Sequence, residues 1–220
     1  MRDDLTDITV LLDRSGSMES IRDDTAGGLN RFITEQGRLP GECRVSLVQF
    51  DNEYEPNYTA IPAMEAPLLD RNSYKPRGWT ALVDAFGKTI VATGERLAKM
   101  PEAERPGKVI FVVVTDGQEN ASKDWRLSQI KEMVKTQEDT FKWQFVFLGA
   151  GIDAMQDSMA YGVKAGKAMN VGKTGDGIAR AFAATSRNVA DYRSSGNAAV
   201  MDYSTEDRDD QNKAGAVTNP

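Results

Sequence analysis

Val109-Ile110-Phe111-Val112-Val113-Val114 is apolar without a break, and Thr115-Asp116-Gly117 ends it. A strand with one wet face would alternate apolar and polar residues, so a run like this needs cover on both faces. It commits the chain to a largely parallel sheet held between layers of helix. A second run near the N-terminus has the same form. Ile8-Thr9-Val10-Leu11-Leu12 is short and partly β-branched, and it stops at Asp13-Arg14-Ser15-Gly16-Ser17. In open α/β sheets ligands bind beyond the carboxyl ends of the strands, so the residues that follow each run are the first candidates for function.

The rest of the chain supplies the other elements of such a sheet. Residues 18–38 carry Ile21, Ala26, Leu29, Phe32 and Ile33 near helical spacing, with Gly27-Gly28 suited to close packing on the sheet. Residues 44–50 alternate as a second strand and 54–63 read as a third. The short turn between them, Asp51-Asn52-Glu53, makes the pair a hairpin, and Pro56 and Pro62 place the third strand at an edge. Helices are expected near 81–99, 124–138 and 175–193, and strands near 143–148 and 167–171. The fold class is therefore α/β, doubly wound, with a mostly parallel sheet, one antiparallel edge strand and helices on both faces. Residues 1–195 are expected to form one domain. Periodicity is lost after that, and 196–220 is expected to be an acidic, flexible tail, with no packed role from Thr205 to Pro220.

Composition removes most catalytic chemistry. With no histidine, a Ser-His-Asp triad, a Cys-His pair and His-ligated zinc or iron are excluded. The single cysteine, Cys43, excludes thiolate zinc sites and iron–sulfur clusters within one chain, and it reads as a small buried hydrophobe. A metal bound here takes oxygen ligands. The net charge of -6 gives no footing for nucleic acid or an anionic membrane. No run is long enough to span a bilayer, and an acidic start with no signal peptide leads to the expectation of a cytoplasmic protein.

Two glycine motifs carry less than they suggest. Gly149-Ala150-Gly151-Ile152-Asp153-Ala154 has dinucleotide-binding spacing but no acidic residue at the end of a following strand to hold a ribose. Gly172-Lys173-Thr174 resembles the end of a phosphate loop, but Gly166 is one residue too far away, and chance accounts for it.

Three segments remain: Asp13-x-Ser15-x-Ser17 after the first strand, Gly78-Trp79-Thr80-Ala81-Leu82 before a helix, and Thr115-Asp116-Gly117 after the buried strand. Together they offer two carboxylates and three hydroxyls, the hard oxygen donors that Mg²⁺ takes. In order and spacing they resemble the three parts of the metal-ion-dependent adhesion site (MIDAS) of von Willebrand factor type A (vWA) domains, standalone bacterial or phage type. The strand–helix pattern from Asp7 to about Arg193 matches that family's six-stranded sheet. The resemblance implies that Ser15, Ser17 and Thr80 ligate Mg²⁺ or Mn²⁺ and that Asp13 and Asp116 act directly or through water. It implies an open coordination position for a carboxylate of a partner protein, and therefore a binding module and not an enzyme. Such domains sometimes act beside AAA+ ATPases or in stress-response and phage systems. Trp79 stands where the family often has a small residue, and reads equally as a partner contact or as a side chain packed under the loop. Arg14 and Arg77 could add a basic rim with Lys75 and Lys123, although Glu19, Asp51, Glu53 and Glu119 share that edge. Two other readings use the same metal. A haloacid-dehalogenase-like phosphatase needs a second aspartate where this chain has Ser15. A structural subunit of a bacterial or phage assembly would use the cation only to stiffen its loops.

Overall fold

The computed structural model describes residues 1–217. Strands β1 (Arg2–Asp13), β2 (Glu42–Phe50), β4 (Pro106–Thr115), β5 (Gln144–Ala150) and β6 (Ala168–Val171) run parallel. Strand β3 (Tyr54–Pro62) turns back antiparallel on β2 and forms one edge. The order across the sheet is β3-β2-β1-β4-β5-β6.

The uninterrupted runs follow from this placement. Successive side chains of a strand point to opposite faces, so a central strand must be apolar at odd and even positions alike. Ile110, Val112 and Val114 join Ile8, Val10 and Leu12 in one core, under α1 (Arg22–Arg38) and α5 (Gly175–Ser195). Phe111 and Val113 join Leu11 in the other, under α2 (Leu82–Ala98) and α3 (Leu127–Phe141), with the short α4 (Ala154–Ala160) beside them. The Phe111 ring lies 5.3 Å from Phe86 of α2 and 5.4 Å from Phe145 of β5, within the range of favourable aromatic pairing. The second face of β1 also carries Asp7, which Arg96 of α2 engages with two hydrogen bonds of 2.8 and 2.9 Å.

Three features differ from the sequence expectation. Gly28 brings α1 close to α5 and not to the sheet: a methyl group there would lie 2.3 Å from the Phe182 ring. Helix α3 begins at Leu127 and not near 124. The backbone N–H groups of Lys123, Asp124 and Trp125 donate to the Asp84 carboxylate instead, and the helix starts only where Gln129 accepts from Arg126 N. The expectation of an unpacked tail fails from Thr205 onward. A 3-10 turn (Ala198–Met201) and helix α6 (Thr205–Lys213) pack on α5 and β6, with Met201, Tyr203 and Gln211 buried. Gln211 donates to Gly177 O and accepts from Gly172 N, both at 3.0 Å, and Ser204 caps the helix by accepting from Asp207 N. This segment is anchored by polar side chains on backbone groups and by two isolated apolar residues, so it has no periodicity to read. The remainder of the expected tail, 218–220, lies outside the described residues.

Packing of the C-terminal segment is measurable. Met201→Ala should lower unfolding free energy by about 2–5 kcal/mol and Tyr203→Phe, which loses the contact with Thr185 Oγ1 at 2.6 Å, by about 1 kcal/mol. Urea unfolding of both variants is the check; a tail without packed contacts would leave the wild-type midpoint unchanged.

Candidate metal centre

The chain lays β1, β2 and β3 to one side, then crosses to lay β4, β5 and β6 to the other. Connections therefore part in opposite directions above β1 and β4, and the crevice left there is where such sheets bind ligands. Asp13 ends β1 and Asp116 follows the last residue of β4, so both carboxylates stand at this crevice. Both are buried, Asp13 completely. Asp13 is held from two sides: Oδ1 accepts from Ser15 N at 2.6 Å and Oδ2 from Thr115 Oγ1 at 2.6 Å.

The hydroxyls meet at the same place. Ser15 Oγ and Ser17 Oγ are 3.1 Å apart, and Ser17 Oγ donates to Asp116 Oδ1 at 2.6 Å. Gly117 marks the spot they share. A methyl group there would lie 2.9 Å from Thr80 Oγ1, 3.4 Å from Ser17 Oγ and 3.7 Å from Ser15 Oγ, so only glycine leaves the space clear. All five oxygen-bearing residues singled out in the sequence thus come together.

Contacts that the sequence reading did not anticipate hold the loops in register. Gly78, with φ at +68°, accepts from Gly16 N at 3.2 Å, joining the second loop to the first. Tyr74 Oη donates to Asp13 O at 2.7 Å. Thr80 and Asn120 exchange hydrogen bonds of 2.9 and 3.0 Å. Glu119 accepts from Val83, Ala121 and Ser122 N–H groups at 2.7–2.9 Å, tying the loop after β4 to the first turn of α2. It is therefore a loop fastener and not part of a solvated rim. A carboxylate at a helix N-terminus also faces the favourable end of the helix dipole.

The three candidate partner contacts separate. Arg14 is buried and cannot form a rim: Nε donates to Asp51 at 3.1 Å and Nη1 to Glu55 at 2.5 Å, fastening the first loop to the β2–β3 hairpin. Arg77 is half-exposed, but Asp51 and Glu53 hold its guanidinium. Trp79 is 68% exposed, which removes the reading of a side chain packed under its loop. It borders a cleft of about 760 Å³ that runs from Gly78 to Lys88 and Lys123.

Burial pushes the Asp13 carboxyl up to about 6, against the lowering effect of its hydrogen bonds from Thr115 and Ser15. Asp116 Oδ2 is buried, and among the described residues it is addressed by the Lys173 ammonium, whose Nζ lies 2.5 Å away. Among the described residues no three His, Cys, Asp or Glu side chains cluster as a metal site, so any cation here depends on the hydroxyls. The donor set fits one: two buried carboxylates and three hydroxyls around a clear space, all hard ligands, with Asp116 Oδ2 already facing the positive charge of Lys173.

No family profile and no curated protein sequence matches this chain. Solved structures do. The von Willebrand factor type A structure from Catenulispora acidiphila superposes with a TM-score of 0.56 at 13% identity, covering 86% of this chain and 42% of that one. The fold is that of a vWA domain. Proximal thread matrix protein 1 from the mussel byssus gives a TM-score of 0.58 at 13% identity over 84% of this chain and 46% of its own. A second structure of that protein has a zinc-occupied MIDAS motif. The pilus adhesin SpaC from Lactobacillus rhamnosus GG gives 0.58 at 11% identity over 84% and 30%. This vWA fold spans less than half the length of each of these structures.

The raised Asp13 carboxyl gives a pH signature. Its folded-state value lies above the ordinary 3.8, so the folded protein takes up a proton as pH falls through about 6, before the unfolded chain does. In chelator, wild type should gain stability relative to Asp13→Ala as pH falls from 7.5 to 4.5, on the order of 2 kcal/mol. Urea unfolding of both proteins across that range measures it, and parallel curves would show that the hydrogen bonds to Asp13 fully offset its burial.

Proposed function

We propose that this chain is a non-enzymatic protein-binding module that engages an acidic side chain of a partner through Mg²⁺ or Mn²⁺ at a complete MIDAS. The observation that carries this reading is the clear space at Gly117, with three hydroxyls around it and two buried carboxylates beside it. Ser15, Ser17 and Thr80 would hold the ion, and Asp13 and Asp116 would supply the balancing negative charge. When bound, the cation offers a positive charge and an exchangeable coordination position to an outside oxygen.

The chain's own residues do the rest. Asp13, fixed by Ser15 N and Thr115 Oγ1, keeps the first loop in one geometry. The Glu119 and Asn120 bonds keep the second and third loops from drifting apart. Trp79, exposed one residue from Thr80, offers a large apolar surface next to the ion, and aromatic side chains in such positions often dominate binding energy. An all-oxygen donor set suits Mg²⁺ or Mn²⁺, and the MIDAS of the mussel protein shows that such a motif also takes zinc. Supporting the binding role over catalysis, the chain has no histidine and its one thiol, Cys43, is buried and pushed up to about 11. The net charge of -6 favours a protein partner over nucleic acid. Among the described residues no helix is long and apolar enough to cross a membrane. A bacterial or phage assembly, beside an AAA+ ATPase or a stress-response component, is a context that the family resemblance supports.

Two measurements test the reading. Mg²⁺ at about tenfold excess over its Kd should raise the Tm by roughly 2–5 °C, and the double variant Ser15→Ala/Thr80→Ala should lose that shift. Affinity capture from the native host should retain a partner in Mg²⁺ and release it in EDTA. Trp79→Ala should keep the Mg²⁺ shift while weakening capture by about tenfold. Equal capture in Mg²⁺ and EDTA would sink the proposal.

A further inference from the structure

Lys173 belongs to neither the sequence motif nor the ligand set, yet it reaches the centre of the site. It stands between β6 and α5, one residue before the α5 N-cap Thr174. Its stem crosses Gly151, where an added Cβ would meet Lys173 Cδ at 3.3 Å and Cβ at 3.6 Å. Its ammonium ends 2.5 Å from Asp116 Oδ2. That side chain is fully buried, and its other oxygen, Oδ1, accepts from Ser17. The ammonium is therefore the counter-charge of a buried carboxylate oxygen for which no other donor is found among the described residues.

We propose that Lys173 is an internal cation that competes with the divalent ion for Asp116, and so sets the metal concentration at which the site loads. This rests on the metal-binding reading above. A fixed positive charge beside the ligand carboxylate would repel a divalent ion, so loading requires the ammonium to leave. Lys173 is built to leave. Its side chain is 36% exposed, and an ammonium on a flexible stem is readily hydrated. The backbone around it is pinned: Gly172 N donates to Gln211 Oε1 at 3.0 Å, Thr174 Oγ1 donates to Ala214 O at 3.2 Å, and Gly177 N donates to Thr174 Oγ1 at 3.1 Å. The exchange is thus a swing of one side chain and leaves the turn folded. It also gives α6 a role at the site, since Gln211 and Ala214 hold the base from which the lysine swings.

The test uses the full chain with two substitutions. Lys173→Met keeps the stem over Gly151 and removes the charge; Lys173→Arg keeps the charge. Calorimetric titration with MgCl₂ should show the Met variant binding about tenfold tighter than wild type and the Arg variant within about threefold of it. In EDTA the Met variant should melt below wild type, because Asp116 has lost its counter-charge, and saturating Mg²⁺ should close that gap. In wild type, Mg²⁺ should raise the reactivity of the Lys173 amine toward an acylating reagent severalfold, read by mass spectrometry. If wild type binds Mg²⁺ and the folded Met variant binds it no more tightly, competition is wrong while the metal centre stands. If none of the three proteins binds Mg²⁺ or Mn²⁺, both proposals fall. If the Met variant does not fold, unchanged Lys173 reactivity in wild type on Mg²⁺ saturation overturns the competition.

Discussion

A carboxylate buried at the end of a central strand cannot stay unsatisfied, and the architecture around Asp13 answers that constraint. Its two oxygens take a backbone N–H from its own loop and a hydroxyl from the neighbouring strand. Hydrogen bonds to a charged group contribute about 1.5–3 kcal/mol each, which offsets part of the cost of burial. What remains uncompensated appears as a carboxyl pushed up to about 6. The same two bonds join the loop after β1 to the end of β4, so a local electrostatic need also aligns the two strands between which the sheet changes direction.

The neighbouring loops follow the same logic of reciprocal polar fastening. Glu119, on the loop after β4, binds the first turn of α2; Asp84, in that first turn, binds the backbone of the loop after β4. Arg14 and Asp51 tie the first loop to the β2–β3 hairpin from within a buried ion pair. Side chains that read as surface charges in the sequence therefore serve as fasteners. Trp79 stands out on this face because it is large, apolar and exposed. At Asp116, in contrast to Asp13, one oxygen is addressed only by a cation, the Lys173 ammonium. That need is met by Lys173, whose ammonium lies 2.5 Å from the Asp116 carboxylate, and it is the feature on which the proposed metal binding turns.

Much of this was legible in the residues. An apolar run such as Val109 to Val114 has one stable environment, a strand covered on both faces, and that requirement is local to the run. The sheet, its antiparallel edge and the five oxygen-bearing residues could be read because strand ends carry ligands in folds of this class. The C-terminal segment could not. It is held by Gln211 and Arg208 on backbone carbonyl and amide groups of distant elements, and such bonds leave no pattern in sequence.

The division between sequence and tertiary structure is one of range. By itself, the sequence determined the period and order of the strands and helices of the sheet region up to α5, and the absence of histidine and metal-binding thiolate clusters. Those properties depend on neighbouring residues or on composition. Only the tertiary structure decided that Arg14 turns inward, that Trp79 stays out, that Glu119 fastens a helix and that Lys173 meets Asp116. Each depends on which groups lie across a loop from one another, and a charge or a ring has no preferred side until its partners are in place.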